Sequence, residues 1–269
     1  MARIPVDAKY SKMILSAARS GCLAEIVALV SVLTAIAGGR SIFRRHKDDE
    51  DEYYHGARNR GGTTAMEEAS SCLNAGDHIA YLTTFARFLR ACERKQWASQ
   101  KLSREKWAAR KRYSLRVLDQ AAQIYRQLTA TCKSLGLFKS DAETVLSTTC
   151  PDDKKREAII KAIISGNRRS IAGRGEQTST LYTCLWTDKS AELRRDSFLG
   201  GNPQLVVYDE FLVTRNSYLN IVSAVEYEWL DGPAKGQLAR QAKERKRGEE
   251  RRMRRPRLPL MFATLFSSV

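Results

Sequence analysis

The chain has 269 residues, with 46 Lys plus Arg against 30 Asp plus Glu and a formal net charge of +16. At 43% hydrophobic and 28% charged it has a folded protein's composition, which excludes wholesale disorder and leaves room for one large domain or two small ones. The charge calls for a polyanionic partner, nucleic acid or an acidic surface, and says nothing of fold.

Residues 8–37 carry two helical patterns. Tyr10, Met13, Ile14 and Ala17 recur at helical spacing, and Gly21 suits a left-handed helix end. A second helix runs from about Leu23 to Ala37 and stops at Gly38-Gly39. The most apolar stretch, Cys22 to Gly38, contains Glu25 and falls short of the ~20 residues that span a bilayer, so it reads as a buried core helix. Arg3, Lys9, Lys12 and Arg19, with Asp7 among them, leave no compact apolar run for a signal peptide. Residues 44–64 are polar, with the acidic run Asp48-Asp49-Glu50-Asp51-Glu52 and a Gly-rich stretch from Gly56 to Gly62, and read as loop or disorder. His46 and His55 flank the acidic run, but a flexible run of carboxylates holds hard cations weakly and without fixed geometry.

Helical spacing resumes at Asp77, an N-cap by residue type. Ile79, Leu82, Ala86 and Leu89 mark one face, with Phe85 and Phe88 beside it. Residues 97–135 read as one long basic helix. Leu118, Ala121, Ile124, Leu128, Cys132 and Leu135 line its apolar side, Lys and Arg its other side, and Gly136 its end. Residues 87–133 hold thirteen Lys/Arg and three Asp/Glu, so the positive charge is concentrated here.

Residues 139–155 are polar, with Cys150-Pro151 as punctuation. A short helix from Lys154 to Ser165 ends at Gly166. The runs Leu181–Thr187, Leu205–Val213 and Tyr218–Tyr227 are β-branched and aromatic and read as short strands. The fold class is therefore α+β, an N-terminal helical bundle followed by a small β-barrel. The expected segments are a helical region 1–136, a linker 137–155, a barrel domain 156–231 and a basic, disordered tail 232–269. Within that tail residues 235–257 hold eleven Lys/Arg and three Glu, and an apolar run, Leu258–Val269, closes it. The tail suits a nuclear localisation signal or a nonspecific nucleic-acid patch as well as a merely solvated segment.

Catalytic motifs are missing from the sequence. It has no G-x-x-x-x-G-K-[ST] to cradle phosphates, no G-x-G-x-x-G after a strand and no G-x-S-x-G elbow. The six cysteines, Cys22, Cys72, Cys92, Cys132, Cys150 and Cys184, are scattered, with no C-x-x-C pair to open a zinc site. They read as reduced thiols in a cytosolic or nuclear protein. The residues by themselves describe a basic binding module with no catalytic and no metal site.

Four collinear groups of residues resemble the C-terminal region of DEAH-box RNA helicases, the group that includes splicing and ribosome-biogenesis helicases, over about residues 4–230. The first is Ile4-Pro5-Val6-Asp7, Lys12-Met13, Leu15, Gly21-Cys22, Glu25-Ile26 and Leu33, continued by Ile42-Phe43, Arg45 and Lys47, with His46 where the family usually has proline. The second is Gly76-Asp77-His78 with Ile79 and Leu82. The third is Trp107, Arg116, Leu118, Ala121, Ile124, Gln127 and Leu128; Trp97 also sits at the family's distance from His78, so an insertion of about ten residues precedes Trp107. The fourth is Lys161-Ala162-Ile163, Gly166, Ala172, Pro203, Val206-Val207-Tyr208, Glu210, Thr214, Tyr218 and Trp229-Leu230. Three loops also depart from the family pattern. Asn167-Arg168 stand where it has two phenylalanines, Arg194-Arg195-Asp196-Ser197 where it has His-Pro-Ser-Ser, and Arg215-Asn216 where it has Thr-Lys.

The resemblance implies the end of a winged helix and a helical helicase-associated, or ratchet, domain over 1–136, then an OB-fold over 156–231. It implies an RNA-binding accessory module of an ATP-dependent RNA helicase, acting in splicing or ribosome biogenesis, without the ATPase motor. The alternative is a stand-alone motorless adaptor that binds RNA or helicase partners; a nonfunctional remnant is a third reading. Met1-Ala2 coincides with a methionine-alanine that the family often carries inside its winged helix, so the expectation is that Met1 is internal to a longer product. No cofactor is expected in this chain, ATP and Mg2+ belonging to the family's motor. Expected partners are single-stranded RNA, the helicase motor domains, and spliceosomal or pre-ribosomal proteins, with no membrane; the expected location is nuclear, with cytoplasmic the alternative.

The candidate RNA contacts are Arg110, Lys111, Arg112 and Arg116 on one basic helix turn and its neighbour, and Arg168, Arg169, Arg194, Arg195 and Arg215 on barrel loops. A solvated face explains the helical set as well. Tyr182 and Trp186 are candidates either for base stacking or for the barrel core. His78 is a candidate for a satisfied structural histidine or an RNA contact.

Overall fold

The computed structural model describes residues 4–38, 40–44, 75–93, 104–175 and 180–254. His46, His55, the acidic run, the Gly-rich stretch, Cys72, Trp97 and the apolar run Leu258–Val269 lie outside the described residues. The chain divides into two compact units, Met1–Leu230 and Asp231–Val269.

The first unit begins with helices. α1, Ala8–Ser20, buries Tyr10, Met13, Ile14 and Ala17, and ends at Gly21 with φ +68°, the left-handed turn its spacing predicts. α2, Leu23–Ile36, buries twelve of its fourteen residues, which makes it the helix that the others surround. Its apolarity runs all round, as a central helix requires. Ser31 lies inside it at no cost, because its Oγ donates to the Val27 carbonyl at 2.7 Å.

α3, Asp77–Glu93, packs on α2 and buries Ile79, Leu82, Phe85, Ala86 and Phe88. The two phenylalanines are therefore core, while Leu89 is only half-buried. The single basic helix expected over 97–135 is broken within its described part. α4, Arg104–Arg110, and α5, Leu115–Ser134, are separated by Lys111–Ser114. A long-range backbone pairing competes with the helix there. Ser114 donates to the Ile42 carbonyl and Arg44 to the Arg112 carbonyl, both at 2.8 Å, so Phe43 and Tyr113 pair as an antiparallel bridge. Arg112 takes a left-handed φ of +56° to make the turn, a conformation uncommon for a residue with a Cβ. The rings of Phe43, Tyr81, Tyr113, Trp107 and Phe198 gather around that bridge with centroids 5.0–6.0 Å apart. α5 buries Val117, Leu118, Ala121, Leu128 and Cys132 on α2, and Gly136 follows it with φ +67°.

A short 3-10 turn, Asp141–Thr144, leads to α6, Asp153–Gly166. Asp152 caps α6 by accepting from the Lys155 backbone N–H at 2.9 Å. α6 packs along α1 so closely that a Cβ on Gly166 would stand 2.3 Å from the Lys9 carbonyl oxygen. Lys155 fixes the other end, donating to Glu25 at 3.0 Å and to the Gly21 carbonyl at 2.8 Å.

Five strands then close a barrel in the order β1-β2-β3-β5-β4. They are β1, Ile171–Arg174; β2, Leu181–Cys184; β3, Ser190–Leu193; β4, Leu205–Val213; and β5, Ser217–Ala224. β4 and β5 fall where the β-branched runs predict them. β1 and β3 are four residues each and too short to carry an alternation of their own. Pairings are antiparallel except β3 with β5. Ala172, Tyr182, Cys184, Ala191, Val206, Tyr208, Leu219 and Val222 fill the interior. This is the α+β arrangement expected, helices followed by an OB-fold-like barrel.

The second unit is one helix over its described residues, α7, Gly232–Arg254. That corrects the reading of this stretch as a disordered tail. Composition shows its polarity but not its state; Ala, Gln, Lys, Arg and Glu are all good helix formers.

Candidate nucleic-acid interface

The strand registers decide which barrel loops share an end. The last pairing of β1 with β4 is Ile171 opposite Val207, yet β4 runs on to Val213 with β5 as its partner. The β4–β5 turn that holds Arg215 therefore projects past the start of β1, where Arg168 and Arg169 lie. β2 leaves the barrel on the same side, since Cys184 is opposite Ala172, and its turn carries Trp186 and Lys189. The Trp186 indole N–H donates to the Arg168 carbonyl at 2.9 Å, which ties that turn to the entry of β1. The Leu185 N–H donates to the Ile171 carbonyl at the same distance. Arg168, Arg169, Arg215 and Lys189 are exposed at this end, and Trp186 is half-buried. Lys189 carries no signal in the sequence beyond one cation in a turn; strand pairing alone places it in the group.

Arg194 and Arg195 leave β3 at its other end and do not join this group. The Arg194 guanidinium is forked onto Asp196, with Nε to Oδ1 at 2.8 Å and Nη2 to Oδ2 at 2.9 Å, while Arg195 is exposed. Arg110, Lys111, Arg112 and Arg116 do not share a helix turn. Arg110 ends α4, Lys111 and Arg112 form the break, and Arg116 lies in the first turn of α5. They gather at the positive, N-terminal end of α5, where a cation is unfavourable for the helix and an anion favourable. Tyr182 is buried in the barrel with its hydroxyl donating to the Pro203 carbonyl at 2.8 Å, so it offers no stacking face. Trp186 alone of the two aromatics reaches the surface.

Two buried carboxylates hold the helices to the barrel, and sequence reading missed both roles. Asp77 does not serve as a cap. Its Oδ1 accepts from the Phe198 N–H at 2.6 Å, its Oδ2 from the Val222 N–H at 2.8 Å, and both accept from the Ser197 hydroxyl. Burial pushes its pKa up to about 6, opposed by the hydrogen bonds from Val222, Phe198 and Ser197. Next to Val222, Ile221 has φ +57°, costly for a β-branched residue inside a strand. His78 is fully buried, with Nδ1 2.9 Å from the Ser223 hydroxyl, so it is a structural histidine; burial lowers its pKa to about 4. Gly76, at φ +88°, lies so close to Ser223 that a Cβ would stand 2.6 Å from its Cα.

Asp209 on β4 accepts from Lys9 Nζ at 2.9 Å, Tyr10 Oη at 2.9 Å and Asn167 Nδ2 at 3.3 Å. Burial first, then Asp209, holds the Tyr10 phenol far above its ordinary range. Asn167, which stands where the helicase family has an aromatic, is buried and bonded rather than a lost packing group.

The profile of the helicase-associated domain, ratchet-like, matches residues 7–81, which run from α1 into α3. The ATP-dependent RNA helicase DHX33 of Drosophila melanogaster is 25% identical over 232 residues, 86% of this chain. Over most of its length the chain is similar to the C-terminal region of DEAH-box RNA helicases. The pre-mRNA-splicing factor ATP-dependent RNA helicase DEAH10 of Arabidopsis thaliana is 23% identical over 238 residues, again 86% of the chain. The chain spans only 28% and 29% of the length of these two relatives. In this chain the ratchet-like helices and the barrel are joined by Asp77 and Asp209.

The described residues include no group of three or more His, Cys, Asp and Glu able to hold a metal ion. Cys22, Cys92, Cys132, Cys150 and Cys184 are thiols outside any disulfide, with burial raising the pKa of Cys22 and Cys132 to about 11, far from reactive thiolates. No described helix is long and apolar enough to cross a membrane.

Proposed function

We propose that this chain is an RNA-binding accessory module of the kind that DEAH-box helicases carry at their C-terminal end, and that it contributes binding rather than ATP hydrolysis. The observation that carries this is that the strand registers bring three turns, holding Arg168 and Arg169, Trp186 and Lys189, and Arg215, to one end of the barrel. Cations beside a half-exposed indole are the chemistry of single-strand binding: phosphates on the basic groups, a base on the ring. Arg110, Lys111, Arg112 and Arg116 form a second positive group at the start of α5. Arg195 leaves β3 at the other end of the barrel, and Arg194 is held by Asp196.

In this reading the partner is single-stranded RNA, with motor domains supplying ATP and Mg2+ chemistry from outside this chain. One relative is named a splicing factor, which supports work on pre-mRNA and a nuclear location. Fluorescence anisotropy with a labelled oligouridylate tests the reading. The triple variant Arg168→Ala, Arg169→Ala, Arg215→Ala loses at least tenfold in affinity at 50–100 mM salt, as three phosphate contacts require. Unchanged affinity in that variant would refute the assignment. Adding ATP should alter neither binding nor phosphate release.

A further inference from the structure

α7 is encoded locally. Asp231 accepts from the Ala234 N–H at 2.9 Å, and Pro233 occupies the first turn, where its missing N–H costs nothing. The 23 residues that follow contain nine Lys/Arg against three Glu. Leu238 and Met253 are the helix's only large apolar residues. A helix that lies in a membrane interface needs a broad apolar face with Trp, Phe or Leu along it, and two such residues do not make one. What α7 presents in quantity is positive charge.

That charge is ordered along the helix. Arg240, Lys243 and Arg247 follow i, i+3, i+7 spacing and so share one face, with Lys246 beside them. All four are exposed. Arg240 is 3.5 Å from Glu244, and both side chains are more than half exposed, so this solvated pair is readily exchanged for a stronger anion. From Arg240 to Arg247 the rise is roughly 10 Å at about 1.5 Å per residue.

We propose that α7 is a second nucleic-acid contact, which grips the phosphate backbone of RNA through Arg240, Lys243, Lys246 and Arg247 without reading sequence. It stands on the charge of α7 itself and does not require the barrel end to face RNA. A helix with so few apolar groups and no aromatic ring holds RNA by counterion release alone, so its affinity is the same for unrelated sequences and falls steeply with salt.

The test is a salt titration of RNA binding on the whole chain, with a labelled oligouridylate and a mixed-sequence RNA of equal length as probes. The variant replaces Arg240, Lys243, Lys246 and Arg247 together by Gln, which keeps helix propensity; circular dichroism checks that the helix content holds. The expected result is the same for both probes: affinity falls at least tenfold at low salt. The slope of log K against log salt flattens by about 2 to 3, at about 0.7 per phosphate released from a single strand. An unchanged slope and affinity would overturn the proposal. The barrel-end triple variant, measured alongside, separates the two sites. Loss there with α7 neutral keeps the barrel assignment and refutes this one; loss in the α7 variant alone does the reverse. Vesicles of phosphatidylcholine with phosphatidylserine are the control. Vesicle binding abolished by the Gln variant, with RNA affinity unmoved, would also overturn it.

Discussion

Lys9 on α1 and Asp209 on β4 stand 200 positions apart in the chain and meet at 2.9 Å, Nζ to Oδ1. The carboxylate is almost wholly buried and the lysine is 30% exposed, so the ammonium remains partly hydrated while the acid depends on its protein partners. Asp209→Ala strands the Tyr10 hydroxyl and the Asn167 amide together with the lysine. The expected loss is about 3 kcal/mol, read as a lower urea midpoint with m unchanged. Lys9→Met, which keeps the stem, should cost less. A double-mutant cycle of the two should return a coupling of about 1–2 kcal/mol, discounted for the exposed ammonium.

Asn167→Phe puts back the residue type that the helicase family favours, and it should destabilise this protein. Asn167 is buried and its amide donates to Asp209 at 3.3 Å, so a phenyl ring removes one of that acid's donors and needs space that the amide does not fill. A thermal melt should fall by several degrees; a rise would show that the polar seam is dispensable.

Gly166→Ala should also destabilise, although Ala is the better helix former by about 1 kcal/mol. The new methyl would meet the Lys9 carbonyl oxygen at 2.3 Å and the Met13 side chain at 2.6 Å, and the first is backbone that cannot swing away. Overpacking of this kind costs about 1–3 kcal/mol or more. Gly232→Ala, in open space, is the control and should be harmless.

Asp77 and His78 are neighbours in sequence with opposed pH linkage. The folded pKa of Asp77, about 6, is above its unfolded value, so its stability contribution is full below about pH 4 and lost as pH rises through 6. The folded pKa of His78, about 4, is below its unfolded value, so its contribution is full above about pH 6.5 and lost as pH falls through 4. In wild type the two trends oppose each other between pH 4 and 6 and the stability profile is flat. Asp77→Asn should leave a profile that climbs with pH over that window, and His78→Gln one that falls. Urea midpoints at half-unit steps of pH would show both slopes; parallel profiles in the two variants would contradict the assignment.

Arg194→Gln should leave RNA affinity within about twofold, because the guanidinium is already committed to Asp196 through two hydrogen bonds. Arg168→Gln in the same anisotropy assay should weaken binding several-fold.

Much of the architecture was legible because it is written in short-range patterns. The continuous apolarity of Leu23 to Ile36 could only be a central helix, and the β-branched runs of β4 and β5 could only be strands. β1 and β3 were not legible, since four residues carry too few alternations and closure of the barrel selects them. The basic helix over 97–135 was over-read. Its periodicity is real on both sides of Lys111–Ser114, but the pairing of Phe43 with Tyr113 outweighs local helix preference there.

Among the candidate contacts the sequence supplied the cations and not their grouping. Arg168, Arg169, Lys189 and Arg215 come from three separate turns, and only the antiparallel registers of β1, β2, β4 and β5 bring those turns to one end. Asp77 looked like a helix cap because capping is the commonest local use of an aspartate before an apolar run. Its partners, Ser197, Phe198 and Val222, are 120 to 145 residues away, where no local pattern reaches.

Taken by itself, the sequence determined the charge, the helical first half, the two long strands and a likeness to the C-terminal region of DEAH-box helicases, because composition, periodicity and motif spacing act over a few residues at a time. The tertiary structure alone decided which turns share an end of the barrel, which aspartates are buried and where the basic helix breaks. Those outcomes depend on contacts between residues far apart in the chain, where desolvation makes each unpaired polar group costly enough to select its distant partner.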